Sequence, residues 1–106
     1  TIAGNVSEAF SCYEQALAIH RETGNRRFEA CELGNLGSLV YELGNLAAAA
    51  QHLEEAVKLG DEMWPVAAGA FRGWLALVRA DQGQTEEAKA LLDEGALQRR
   101  GRHPIE

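Results

Sequence analysis

Residues 33–57 read LGNLGSLVYELGNLAAAAQHLEEAV and carry two apolar patterns on either side of Gly44-Asn45. In each pattern the apolar residues recur three or four positions apart, which is the spacing of one face of an amphipathic helix. Gly readily takes the left-handed conformation that ends a helix, and Asn can cap the helix that follows. Two such helices joined by two residues are predicted to form an antiparallel hairpin.

The sequence pattern of the second helix of this hairpin occurs three times along the chain. Gly-Asn also opens a segment at Gly4, and a weaker copy opens at Gly83, so the landmarks lie 40 and 39 residues apart. A period between about 20 and 50 residues indicates a solenoid or repeat array. The positions that correspond are Val6, Ala9, Tyr13 and Ala16, then Leu46, Ala49, Leu53 and Ala56, then Thr85, Ala88, Leu92 and Gly95.

The pattern predicts an all-α fold, an α-solenoid of helical hairpins with about two and a half repeats and five helices. We expect these helices over residues 6–22, 27–43, 46–59, 66–82 and 85–99. GDEMWP should end the third, because Pro65 disfavours helix at the residue before it and tolerates the first helical turn. One domain is expected over residues 1–99, with 6–22 as an orphan second helix, 27–59 and 66–99 as repeats, and 100–106 as a loose tail.

The residues of this pattern resemble a tetratricopeptide repeat. The motif has a Leu-Gly step in its first helix, matched by Leu36-Gly37, and a turn Gly, matched by Gly44. Ala49, Leu53 and Ala56 match its second helix. The period exceeds the usual length of about 34 residues and resembles the long-period arrays of kinesin light chains and of large bacterial regulators and signalling proteins.

Departures from this motif occur in the last repeat. Arg72 and Arg79 stand where apolar or aromatic residues are usual, and Gly95 replaces Ala. The last repeat is therefore either the end of the array or adapted to something else. Small residues such as Gly37 and Ala49 are expected to let helices approach closely, so that Leu at either position would overpack the joint.

No pattern in the sequence indicates an active site, a cofactor or a metal. His20, His52 and His103 have no ligand partner at a recognised spacing, and none of the common nucleophile, zinc or phosphate-loop motifs occurs.

A net charge of −6 argues against sequence-independent nucleic-acid binding. Two cysteines predict reduced thiols in a cytoplasmic protein. We expect no signal peptide and no membrane span, and the lack of an initial Met suggests a fragment of a larger chain.

The resemblance implies a protein-interaction module in which the first helices of successive hairpins line a concave groove. The groove residues that it implies are Cys31, Asn35, Ser38, Tyr41, Glu42, Ala70, Trp74, Leu77 and Asp81. Asn35 would bond the backbone of a bound peptide, and Trp74 would lie either in the groove or in the core. Gly34 and Ser38 replace the residues with which some members clamp a C-terminal carboxylate, so such a tail is not expected. With Glu42, Asp81 and Ser38 the groove is expected to be mildly acidic to neutral, and a basic or apolar peptide is the expected partner.

The alternative is an oligomerisation element. Repeats are stable when neighbours cover their faces, and roughly three are needed. The first helix lacks a partner, so Phe10, Tyr13 and Leu17, on one helical stripe, form a candidate self-association patch. We expect this stripe to lie against the helix that begins near residue 27, with its remaining edge against a second copy.

Overall fold

The computed structural model describes the backbone of residues 2–100 and the side chains from residue 5 onward. Over that range the chain is an all-α helical-repeat solenoid, and consecutive helices pack against each other. The tail expected at 100–106 lies outside the described residues except for Arg100. The five helices are α1 (Ile2–Thr23), α2 (Arg26–Glu42), α3 (Leu46–Met63), α4 (Pro65–Asp81) and α5 (Thr85–Arg99).

Three of the four connections use the same tight turn. Gly24, Gly44 and Gly83 have φ of 72°, 87° and 82°, values that cost Gly little and other residues more. At the predicted turn, the Gly44 N–H donates to the Tyr41 carbonyl at 2.9 Å, and the Asn45 side chain accepts from the Ala48 N–H at 3.1 Å. The left-handed Gly44 and the capping Asn45 are therefore confirmed.

The fourth connection is a single residue rather than the predicted loop. α3 continues through Gly60 to Met63, beyond the expected end at Leu59, and α4 begins at Pro65. Trp64 between them is extended, with φ −158° and ψ 75°. Pro65 excludes the helical conformation only at the residue before it and itself fits the first helical position, so one non-helical residue is enough.

The helices form two layers. The backbones of α2 and α4 lie close to each other, whereas in the part of the chain described α1, α3 and α5 meet one another only through side chains, as in the Arg21–Glu55 ion pair and the Gln98–Asp61 hydrogen bond. Since the layer with the closer helices is the inside of a curved array, α2 and α4 form its inner layer. Both helices run in the same direction, because an antiparallel helix separates them.

The joint between α2 and α3 depends on Gly37. A Cβ built on Gly37 would lie 2.5 Å from Cγ of Leu53, far inside contact distance. Leu53 is fully buried, as are Ala49 and Ala56 on the same face of α3. The prediction that Gly37 makes room for a bulky neighbour is confirmed.

The two ends of the array expose positions that are buried one repeat away. Leu53 is 0% exposed, but Leu92, its equivalent in α5, is 49% exposed. Leu59 is 8% exposed, but Ile19, forty residues earlier in α1, is 56% exposed. Phe28, at the start of α2, is also about half exposed and stacks on the His20 ring.

Arg72 and Arg79 of α4 explain one departure from the motif, since each ties α4 to both of its neighbours. Arg72 bonds Asp61 of α3 at 2.6 and 2.8 Å and Gln98 of α5 at 2.5 Å. Its Nε lies 3.5 Å from a Glu94 carboxylate oxygen, an ion pair without hydrogen-bond geometry.

One level along the helices, Arg79 pairs with Glu54 of α3 and, at 3.3 Å, with Glu87 of α5. The arginines are seven residues apart, as are their partners on each flanking helix, so the result is a two-rung ladder of charges. The equivalents of the arginines in α2 are the buried Leu33 and Val40. Leu33 is shorter than an arginine, and two open depressions remain beside it: one of about 230 Å³ between α2 and α3, and one of about 280 Å³ lined by α1, α2 and α3.

Candidate protein-interaction surface

The solvent side of α2 carries a polar stripe. Cys31, Asn35 and Ser38 are partly buried and Glu42 is exposed, at helical spacings of three and four residues. The Ser38 hydroxyl donates to the Asn35 backbone carbonyl at 3.0 Å, so it is satisfied within its own helix. Burial raises the pKa of the Cys31 thiol, with the Glu32 carboxylate adding to it, which favours the neutral thiol.

The solvent side of α4 carries an apolar stripe at the equivalent positions. Ala70 and Leu77 are exposed, Trp74 is partly buried, and Asp81 ends the stripe as an exposed carboxylate. These residues stand 39 positions after their counterparts on α2. We call the two stripes together the inner face; its members are Cys31, Asn35, Ser38, Glu42, Ala70, Trp74, Leu77 and Asp81.

Tyr41 joins the two helices at one end of the inner face. Its hydroxyl donates to Oδ2 of Asp81 at 2.8 Å, and its ring meets the Trp74 ring edge-on, with centroids 6.0 Å apart. The hydrogen bond to the Asp81 carboxylate raises the pKa of Tyr41, because it favours the protonated phenol. Three of the residues implied by the resemblance therefore form one cluster.

Trp74 lies partly in the core and partly at the surface, the two environments that the sequence analysis considered for it. It packs against the core cluster that contains Val40, Leu75 and Val78, and part of its surface still reaches solvent. Asn35 directly follows Gly34 on α2 and makes no side-chain hydrogen bond to another residue in the described range. The two residues chosen for binding thus differ in how much they contribute to packing.

Arg27 marks the other end of the inner face, and the sequence analysis missed it. Its guanidinium lies 4.1 Å from the centroid of the Trp64 ring, a cation–π contact between α2 and the α3–α4 connection. The spacing of Arg27 and Trp64 in the sequence does not predict this contact. The signal available was only that an aromatic residue precedes Pro65, where the chain must be extended.

Gly34 has a packing role. A Cβ built on Gly34 would overlap the edge of the Phe71 ring, so the absence of a side chain lets α4 approach α2. A carboxylate-clamp side chain at this position would displace Phe71.

The candidate self-association patch packs largely against other helices of the same chain. Leu17 is 7% exposed in a cluster with Leu33 and Leu36 of α2, and Phe10 and Tyr13 pack against the core while remaining partly exposed. The stripe lies against α2 as expected. Leu17 leaves almost no surface for a second copy, whereas Ile19 on the neighbouring stripe is exposed.

The residues with catalytic or ligating potential are dispersed. Within the described range no group of three His, Cys, Asp or Glu side chains is arranged to hold a metal ion. Cys12 and Cys31 are unpaired thiols. His103 lies outside the described residues. No described helix has the length and apolar character needed to cross a bilayer.

Comparison with known proteins agrees with this architecture. A family model described as tetratricopeptide repeat matches residues 1–62, more than half of the chain. Searches of curated proteins and of solved structures gave no significant match. Repeats of this family generally mediate protein–protein interaction and are typically not enzymes. With its hairpins, its glycine turns and this match together, the chain belongs to the tetratricopeptide repeat family.

Proposed function

We propose that the chain is a protein-interaction module that binds a peptide segment of a partner on the inner face formed by α2 and α4. The observation that carries the proposal is the cluster of Tyr41, Trp74 and Asp81. It presents a partly exposed indole, held edge-on by Tyr41, next to an exposed carboxylate. Aromatic side chains held in this way are the commonest energetic centres of protein interfaces.

The flanking residues supply complementary chemistry. Asn35 offers one amide donor group and one carbonyl acceptor, which suits the main chain of a bound segment. Ala70 and Leu77 extend the apolar surface on either side of Trp74, and neither is covered within the chain. The carboxylates of Glu42 and Asp81 favour a basic group on the partner.

A selection from a random peptide library, displayed on phage and panned on the purified chain, tests the proposal. Enriched peptides should bind the Trp74→Ala chain more weakly by about 2 kcal/mol, or roughly thirtyfold, as expected for an interface centre. Asn35→Ala should weaken binding by a smaller factor. Gln51→Ala, an exposed position on α3 in the outer layer, is the control and should bind as the parent does. Peptides that bind both inner-face variants unchanged would contradict the proposal.

Self-association is the second candidate, and the exposed ends of the array favour it. Ile19 and Leu92 occupy positions that are buried where a neighbouring helix is present. An added copy could cover such a face and remove apolar area from water, at about 25 cal/mol per Å². Sedimentation between micromolar and millimolar concentrations tests this candidate: dimers that Leu92→Gln or Ile19→Gln dissociates would support it, and a monomer throughout would exclude it.

A further inference from the structure

We infer that the segment bound on the inner face is extended, about seven residues long, and carries unlike charges at its two ends. Its basic end lies against Glu42 and Asp81, and its acidic end lies against Arg27. This inference rests on the proposed function and adds to it the chemistry and the placement of the partner.

The inner face is polarised along its length because α2 and α4 run in the same direction. Arg27 is the second residue of α2, whereas Glu42 and Asp81 are the last residues of α2 and α4. The helix dipoles act in the same sense, since their positive ends lie with Arg27 and their negative ends with the carboxylates. One end of the face therefore attracts anions and the other attracts cations.

The charges at both ends are held by neighbours on the other helix or on the connection beside it. The Arg27 guanidinium lies over the Trp64 ring, and the Asp81 carboxylate accepts the Tyr41 hydrogen bond. A charge that is already fixed loses little side-chain entropy when a partner pairs with it, so these two charges can discriminate between partners. Glu42 is exposed and adds to the field at the carboxylate end.

The distance between these ends fixes the length of the segment. Fifteen helical steps separate Arg27 from Glu42, which at about 1.5 Å per residue is about 22 Å. An extended chain covers this distance in about seven residues. Shorter segments reach only one of the two charged ends.

The two stripes between the ends favour an extended segment over a helix. In an extended chain alternate side chains point to opposite sides and main-chain groups remain free. Apolar side chains can then lie on Ala70 and Trp74, while main-chain groups meet the Asn35 amide. A helix has used its main-chain groups internally and would leave Asn35 without a partner.

End-charge variants of one peptide test the inference. A seven-residue peptide enriched on the parent chain is labelled with fluorescein and made with unlike ends, with Lys at both ends, and with Glu at both ends. Fluorescence anisotropy should show that the unlike-ended form binds about two- to fivefold tighter than either like-ended form, the range expected for partly exposed ion pairs. With Arg27→Glu the preference should move to the form with Lys at both ends.

Lys58→Glu is the matched control, because it makes the same change of net charge at an exposed position of α3, outside the inner face. It should leave the order of the three peptides unchanged. Equal binding of all three peptides, or an order that Arg27→Glu does not alter, would overturn the inference. If that equal binding is still lost in Trp74→Ala, the proposed groove stands and only the charge pattern fails. If Trp74→Ala binds as the parent does, or if no peptide is enriched, the proposed function itself fails.

Discussion

Gly69 of α4 and Gly95 of α5 cross with backbone against backbone. A Cβ built on either one would lie 2.7 Å from the carbonyl oxygen of the other. In the first hairpin the equivalent positions are Ala30 and Ala56, which are fully buried in one core cluster. Gly95 is therefore not a weakened copy of the motif Ala, because it permits a closer helix pair in the second hairpin.

Gly95→Ala should destabilise the chain by about 1–3 kcal/mol through overpacking, despite the better helix propensity of Ala. The obstacle is a backbone carbonyl, which cannot swing aside as a side-chain end can. Gly73→Ala is the control, since a Cβ there meets only the flexible Arg99 guanidinium at 3.2 Å. That variant should be neutral or more stable by up to about 1 kcal/mol. Urea unfolding followed by circular dichroism measures both, and a stabilising Gly95→Ala would contradict the crossing.

Gly37→Ala should also lower stability, by roughly 1–3 kcal/mol, because its new methyl group meets the branch point of the buried Leu53. The cost should fall when Leu53→Ala removes the opposing atoms, although Leu53→Ala alone costs about 2–5 kcal/mol. A double-mutant cycle measures this compensation. Strictly additive effects would show that the two side chains do not share one space.

The Arg72–Asp61 pair should contribute measurable coupling. The Arg72 side chain is mostly buried and bonds both oxygens of Asp61, so a cycle of Arg72→Ala and Asp61→Ala should give about 1–2 kcal/mol, more than an exposed pair. Glu86 and Lys89 form the control pair, since both are largely solvated and 3.8 Å apart. Their coupling should be near zero, and equal coupling in the two pairs would contradict the distinction.

The same pair should give stability a dependence on pH. Burial acts to raise the pKa of Asp61, but hydrogen bonds from Arg72 and Gln98 outweigh it and hold this pKa below its ordinary value. A carboxyl with a lowered folded-state pKa stabilises the fold above its unfolded pKa of about 4 and loses this contribution as the pH falls through the folded value.

As the pH falls below about 4, the free energy of unfolding should therefore decrease more steeply in the parent than in Asp61→Asn. Urea titrations at several pH values measure the two slopes. Asp93→Asn, an exposed position on α5 with no pairing cation among the described residues, is the control and should keep the parent slope. An unchanged slope in Asp61→Asn would contradict this assignment.

The repeat pattern predicted the order of the helices, because periodic apolar residues and glycine turns act locally. Leu36-Gly37 followed the motif closely enough to predict that Gly37 lets a neighbouring helix approach. The Arg72 ladder could not be predicted in this way, because its partners lie on two other helices and only the packed array brings them together. The end of α3 was also missed, since GDEM has no strong helix-forming pattern of its own and is held by α4.

The sequence left open whether Trp74 lies in the groove or in the core. The loss of stability when Trp74 is replaced should lie between the losses typical of a surface residue and of a core residue. The Trp74 side chain packs against the core cluster that contains Val40, Leu75 and Val78, and it also reaches solvent beside Tyr41. We expect Trp74→Ala to lower stability by about 2 kcal/mol, less than the roughly 3–5 kcal/mol of a fully buried aromatic residue. Leu75→Ala, at a neighbouring buried position, should cost about 2–5 kcal/mol, and Asn35→Ala should stay within about 0.5 kcal/mol.

Urea unfolding of these variants decides whether Trp74 can serve a partner. A loss of about 4 kcal/mol or more in Trp74→Ala would mean that the indole is consumed by the core, as fully buried aromatic residues are. A loss as small as that of Asn35→Ala would mean that the ring is not held and would approach a partner without a fixed orientation. The intermediate value is the one a binding residue needs, because packing on one side fixes the ring while the other side stays available. Once the stability of Trp74→Ala is known, the loss of peptide affinity that unfolding would cause can be calculated. A loss of affinity larger than that can be assigned to the exposed side of the ring.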